Sequence, residues 1–198
     1  MSKIRVGIIG CGRISDLHAQ GYLANPDATI VAVCDTDVSR AEEKAGEWRA
    51  ENAYGDYRQL LANANVDAVD IVTPQRFHEE MAVAALAAGK HVSVQKPMTV
   101  SLASADRMVA AAANSAKVLR VFENYIFYPP LMLAKRLIDE GLIGEPTNMR
   151  IKFISGSGGW AVPESAWAWR SSEHKQGFGM QTFDHGHHMW SVARYLMG

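Results

Sequence analysis

Up to about residue 122, short apolar runs alternate with stretches of helical spacing. The runs Ile4–Ile9, Thr29–Cys34, Ala68–Val72, His91–Val94 and Val118–Phe122 are mostly apolar and rich in Val and Ile. Strands buried on both faces have this pattern. Between them, Ile14–Leu23, Ser39–Ala50, Tyr57–Leu61, His78–Ala88 and Ser101–Asn114 repeat apolar positions as helices do. Asp56 and Ser101 stand where an N-cap is wanted, Asn25-Pro26 stops the first helix, and Gly89 follows the fourth as a C′ residue. Such alternation predicts right-handed βαβ units and a doubly wound parallel sheet, an α/β class.

Beyond residue 122 the rhythm changes. Tyr128-Pro129-Pro130 opens a helix that runs to Glu140-Gly141. Gly144-Glu145-Pro146 turns the chain into a candidate strand over Thr147–Ser155, and a Gly/Ser loop follows at Gly156–Gly159. A Trp-rich stretch and a final helix from about Met180 to Leu196 complete the chain. The expected division is a dinucleotide-binding domain over residues 1–122 and the start of a second domain over 123–198.

Composition narrows the classes. The 198 residues are 48% apolar and 21% charged with a net charge of −1, which excludes disordered, collagen-like and disulfide-scaffold proteins. The balanced charge argues against a broad nucleic-acid or membrane surface. Cys11 and Cys34 lie in or beside apolar runs and are expected to be buried free thiols in a reducing compartment. Met1-Ser2-Lys3 leads directly into the first strand, and no apolar run reaches the roughly 18 residues a spanning helix needs. A cytoplasmic protein with no nucleic-acid or membrane partner is expected.

The candidate chemistry begins at Gly10-Cys11-Gly12-Arg13-Ile14-Ser15, between the first strand and the first helix. Gly10 allows a tight turn, Gly12 lets backbone approach a pyrophosphate, and the helix start supplies N–H groups and positive dipole. Ser15 replaces a third glycine and is small enough to keep helix and strand close. Placement at a strand-to-helix junction is what gives the glycine string its weight. Asp35, at the end of the second strand, can accept both ribose hydroxyls and would repel a 2′-phosphate, which favours NAD over NADP. Thr73-Pro74 follows the strand ending at Val72, where a nicotinamide would lie. His78 either contacts the cofactor or caps its turn. Lys96 ends a buried strand immediately before Pro97, so it is not an ordinary solvated lysine, and the Lys96–Pro97 bond is a candidate cis peptide. Lys90 and His91, at the far end of that strand, carry no functional expectation.

Gly10-Cys11-Gly12, Thr73-Pro74 with His78, Ala88-Gly89-Lys90-His91-Val92 and Gln95-Lys96-Pro97, in this order, resemble the Gfo/Idh/MocA family. Asp139-Glu140-Gly141-Leu142-Ile143-Gly144-Glu145-Pro146 looks like that family's entry into its second domain. The resemblance implies a Rossmann domain followed by an α+β domain on a large open mixed sheet, through which members commonly form homo-oligomers. Relatives continue with several more strands, so this chain is expected to be a C-terminally truncated or unusually short member. The family usually carries Glu-Lys-Pro; here Gln95 keeps a hydrogen-bonding side chain and removes a charge beside the lysine. Asp184-His185-Gly186-His187-His188 matches the family's Asp-x-Gly-x-His pattern, and the spacing sets Asp184 and His188 on one helix face. Ser191 stands where relatives often carry a further Asp.

The implied roles are these. Lys96, Asp184 and His188 are catalytic. Gly10, Gly12, Arg13, Ile14, Asp35, Thr73, Pro74, His78, Gln95 and Lys96 bind the cofactor. Asn124, Tyr128, Trp160 and Trp169 line the substrate together with the catalytic three. Read from the residues alone, Trp160, Trp167 and Trp169 are either core side chains or an apolar platform for a sugar ring, and Tyr125 would line the same cleft. His174, His185, His187 and His188 invite a metal reading, which the resemblance makes the weaker one. The expected reaction is oxidation of a secondary hydroxyl on a sugar, cyclitol or glycoside, with NAD as hydride acceptor. Alternatives are a redox-neutral sugar enzyme that retains NAD, or an NAD-binding protein without turnover.

Overall fold

Every one of the apolar runs up to residue 122 forms a strand. The computed structural model describes residues 2–152, 171, 172, 175 and 186–198. Two units emerge, Met1–Phe122 and Glu123–Gly198.

In the first unit, β1 (Ile4–Ile9), β2 (Ala28–Cys34), β3 (Asn52–Tyr54), β4 (Ala68–Ile71), β5 (His91–Gln95) and β6 (Leu119–Phe122) build one sheet in the order β3-β2-β1-β4-β5-β6. All neighbours are parallel. The order reverses between β1 and β4, which leaves a crevice at their carboxyl ends. Sequence reading missed β3, because Asn-Ala-Tyr is too short and too polar to show a period. It exists because it pairs with β2 from Ala32 to Cys34.

Alternation along the strands splits the core. Val6, Ile8, Ile30 and Val33 face one side, where they pack with Ala19 of α1 (Ser15–Ala24) and Ala41, Ala45 and Trp48 of α2 (Val38–Trp48). Ile9, Val69, Ile71, Val92 and Val94 face the other, against α3 (Tyr57–Ala62), α4 (His78–Ala87) and α5 (Leu102–Ala113) through Leu60, Leu86 and Met108. Each large aliphatic side chain so buried contributes roughly 1.5–3 kcal/mol. The caps stand where the sequence placed them. Asp56 accepts from the Arg58 N–H at 2.9 Å, Ser101 Oγ accepts from the Ser104 N–H at 3.2 Å, and Gly89 has φ +72°. Cys11 and Cys34 are buried and free.

Two polar clips tie strand entries to loops. Buried Lys90 donates to the carbonyls of Asn63 and Val66, each at 2.8 Å, and so has a structural task. Arg5 grips Asp67 with Nε at 2.8 Å and Nη2 at 2.6 Å, fastening the start of β1 to the approach to β4.

The second unit holds α6 (Pro129–Asp139) and α7 (Gly186–Met197), which packs on the 3₁₀ turn Tyr125–Phe127 and on α6. Among its described residues only His188 and Val192 are buried. The expected strand over Thr147–Ser155 is not found over 147–152, which join no ladder among the described residues; 153–155 lie outside them. Its β-branched pattern finds no strand to pair with there. The first part of the expected final helix also lies outside the described residues. Among the described residues no helix is long and apolar enough to cross a membrane.

The Arg5 hydrogen bond, the largest influence, holds the Asp67 carboxyl down at about 2. A lowered folded value adds stability above the unfolded pKa, and that stability is lost as pH falls toward the folded one. The Arg5–Asp67 contribution is therefore expected to fade between about pH 4 and pH 2. Urea midpoints measured across that range should fall more steeply for the wild type than for Asp67→Asn.

Candidate active site

The carboxyl ends of β1, β2, β4 and β5 bring most of the expected cofactor residues to one edge. The turn after β1 passes so close to β4 that a Cβ on Gly10, at φ +98°, would lie 2.7 Å from the Val72 carbonyl oxygen. Only glycine fits there. The Gly10 N–H donates to the Cys34 carbonyl at 2.8 Å, which ties the turn to β2 as well. Gly12 differs: a Cβ there would meet nothing within 4 Å among the described residues. Arg13 is exposed, Ile14 occupies the N-cap of α1 without a side-chain cap, and Ser15 is fully buried, its Oγ donating to the Gly12 carbonyl.

Asp35 is held from both sides. Its Oδ2 accepts from the Cys11 N–H and its Oδ1 from the Asp37 N–H, each at 2.9 Å. Arg40 Nη1 lies 3.4 Å from both oxygens, and Arg40 Nη2 bonds Asp37 at 3.0 Å. Each carboxylate oxygen keeps lone-pair capacity for a further donor.

Thr73 and Pro74 follow β4, and Gln95 and Lys96 close β5, with the Lys96–Pro97 bond cis. His78 lies beneath these loops, 1% exposed, with Nε2 2.9 Å from the Thr73 carbonyl and Nδ1 2.9 Å from the Pro97 carbonyl. Both ring nitrogens thus face backbone carbonyls, to one of which a neutral imidazole donates, and the side chain sits between two cofactor-edge loops. Burial pushes its pKa below the ordinary imidazole value, against the opposing pull of those carbonyls. Gln95 bonds the ring of buried His18, an arrangement no local motif announces.

In the second unit, His188 is buried within a polar and aromatic group. Its Nδ1 lies 2.9 and 3.0 Å from the two oxygens of Glu123, and the Tyr125 ring stacks on it at 4.1 Å. Glu123 also accepts the Tyr125 N–H at 2.8 Å and lies 3.0 Å from His187 Nε2. Burial works against its charge, but the Tyr125 N–H and the imidazoles prevail and hold its pKa below the ordinary carboxylate value. An anionic Glu123 at Nδ1 draws the proton of a neutral His188 to that nitrogen. Sequence reading gave Glu123 no role. The two partners stand 65 residues apart, so no spacing rule joins them. Asn124 and Tyr128 are exposed beside this dyad. Asp184, Trp160, Trp167, Trp169, His174 and His185 lie outside the described residues.

A glycine turn at the reversal point of a parallel sheet, with an acid closing the next strand, defines a Rossmann-type α/β protein. The pattern described as "Oxidoreductase family, NAD-binding Rossmann fold" matches residues 4–123, and the "GFO/IDH/MocA C-terminal domain" matches 131–198. The chain belongs to the GFO/IDH/MocA oxidoreductase family. It is 31% identical to levoglucosan dehydrogenase of Pseudarthrobacter phenanthrenivorans, over all of this chain and 52% of that one. It is 32% identical to D-glucoside 3-dehydrogenase of Escherichia coli, over all of this chain and 55% of that one. A solved NAD binding oxidoreductase from Klebsiella pneumoniae superposes with a TM-score of 0.85 at 36% identity, covering 100% of this chain and 54% of that one. The chain thus spans about half the length of these relatives.

The two glycines should separate on mutation. Gly10→Ala is expected to cost about 2–3 kcal/mol, by strain and the clash with Val72, and Gly12→Ala less than about 1 kcal/mol. Urea unfolding of both variants reads the difference.

Proposed function

We propose that the chain is an NAD-dependent oxidoreductase acting on a secondary hydroxyl of a sugar, cyclitol or glycoside. Residues 1–122 would bind the dinucleotide, and 123–198 would supply part of the substrate-binding, catalytic domain. The observation that carries this reading is the cofactor edge itself: the close-packed Gly10 turn, the open Gly12 and the braced Asp35. These fit a dinucleotide. Gly12 and Arg13 would meet the pyrophosphate over the α1 start, and Asp35 would take the ribose hydroxyls. Asp35 favours NAD over NADP; Arg40 beside it softens that preference. Family membership supports the reading, as do the relatives named as dehydrogenases of levoglucosan and D-glucosides.

Bound nicotinamide supplies the hydride acceptor. The protein's share is proton and charge management. His188, neutral with Nε2 basic, would take the hydroxyl proton as general base. Glu123 would stabilise the imidazolium that forms, as a carboxylate does behind a catalytic histidine. Lys96 would donate a hydrogen bond to the same oxygen and stabilise its developing negative charge. Asp184 would orient the substrate and His188.

The test is production of NADH by the purified chain on a panel of sugars and polyols. Lys96→Ala and His188→Ala are expected to abolish it while NAD binding, followed by fluorescence titration, survives. Substantial activity in either variant refutes the role assigned. Conversion of sugar without net NADH points instead to a retained, redox-neutral cofactor, and tight NAD binding without turnover to a binding protein. Glu123→Gln keeps an acceptor at Nδ1 but removes the charge. It should lower kcat by about tenfold or more and leave NAD affinity unchanged.

A further inference from the structure

A buried polar chain beneath the Gln95-Lys96-Pro97 turn has no part in the scheme above. Asp70, fully buried in β4, accepts through Oδ2 from His18 Nδ1 at 2.8 Å and from the Tyr22 hydroxyl at 3.1 Å. Its Oδ1 has no partner among the described residues. The far nitrogen of His18, Nε2, lies 3.0 Å from Gln95 Nε2, and Gln95 Oε1 accepts the Lys96 backbone N–H at 2.7 Å. Phe122 covers the His18 ring at a centroid distance of 4.2 Å.

The donors and acceptors allow one assignment. The Lys96 N–H can only donate, so the group facing it must be the Gln95 carbonyl oxygen, and the carboxamide cannot flip. The Gln95 NH₂ therefore points at His18 Nε2, which must accept. The single proton of a neutral His18 then sits on Nδ1 and is donated to Asp70. Burial beside Asp70 pushes the Tyr22 phenol well above its ordinary pKa, so the hydroxyl stays a donor to the same oxygen. Asp70 Oδ2 meets two donors, and every link up to the lysine backbone is fixed in direction.

We propose that Asp70 and His18 are positioning residues for Lys96: they lock the Gln95 carboxamide, which anchors the backbone at the head of the turn bearing the lysine. Gln95 is matched to a neutral imidazole. A glutamate in its place would accept the Lys96 N–H through one oxygen and could only accept through the other. It would therefore demand a proton on His18 Nε2 and convert the ring to imidazolium between two carboxylates. The importance of this scaffold for catalysis rests on the role proposed for Lys96; its hydrogen-bond directions do not.

The test uses the intact chain, labelled with ¹⁵N, at pH 7.5 and without cofactor. Long-range ¹H–¹⁵N correlation reads the protonation of each histidine ring, and His18 is assigned by its loss in His18→Gln. The wild type should show His18 neutral with its proton on Nδ1, and Gln95→Glu should show both nitrogens protonated. A wild-type proton on Nε2, a doubly protonated wild-type ring, or a spectrum unmoved by Gln95→Glu overturns the proposal. Gln95→Leu removes the anchor at a partly exposed site. It should speed exchange of the Lys96 amide about tenfold while amides of β1 and β4 keep their protection; unchanged exchange at Lys96 also overturns the proposal. These readouts need no turnover, so failure of the dehydrogenase reading would leave them standing. Conversely, a wrong tautomer would leave NADH production intact.

Discussion

The fold turns on one close approach, where the chain leaving β1 crosses the end of β4 with a backbone–side-chain gap that only Gly10 can satisfy. That contact lets the two central strands lie side by side although they are far apart in sequence, and it stands at the point where the strand order reverses. Everything at the cofactor edge is measured from it. The Gly10 N–H reaches β2, the Cys11 N–H reaches Asp35, and Val72 donates its N–H to Ile9 at 2.8 Å. A Cβ at this position would push apart the two strands on which both halves of the sheet are hung.

Much of this was legible in the sequence because it is local. A Val/Ile run, a capping serine, a glycine after a helix and a lysine before a proline each declare themselves within a few residues. The long parallel strands, the N-caps at Asp56 and Ser101 and the cis Lys96–Pro97 bond were readable for that reason. What stayed hidden is made by tertiary pairing. β3 is a strand only because β2 lies beside it. Lys90 carried no functional expectation, and two carbonyls from the loop before β4 draw it inward to a structural task. His78 left two readings open until the fold brought Thr73 and Pro97 to either side of its ring. The run from Thr147 misled in the opposite sense, since β propensity without a neighbouring strand forms no ladder over the described residues.

The two units differ in how much apolar surface they bury. The first encloses both faces of its central strands under helices. In the second, Leu142 and Ile143 are each 67% exposed and Trp190 76%. With so little apolar burial, polar contacts carry more of the local order. Among the described residues of that unit, Glu123, Tyr125 and His188 form such a group: one carboxylate receives a backbone N–H and meets an imidazole nitrogen, and one ring stacks on the other.

His18 and His188 then form an instructive pair. Each presents Nδ1 to a carboxylate, Asp70 in one case and Glu123 in the other. In both rings that contact puts the proton on Nδ1 and the basic lone pair on Nε2. The difference lies beyond the ring. At His18 the lone pair is taken by the Gln95 amide, which is itself committed to the Lys96 backbone. Its basicity is spent on holding a turn. Glu123 supplies the same orientation to His188, and an imidazole so oriented can accept a proton and be stabilised once charged. The same carboxylate–imidazole unit thus recurs in both units, and at His18 it is a scaffold because the Gln95 amide meets Nε2. A glutamine at position 95 thus gives the His18 lone pair a donor and keeps each hydrogen bond of the scaffold in one direction up to the lysine backbone.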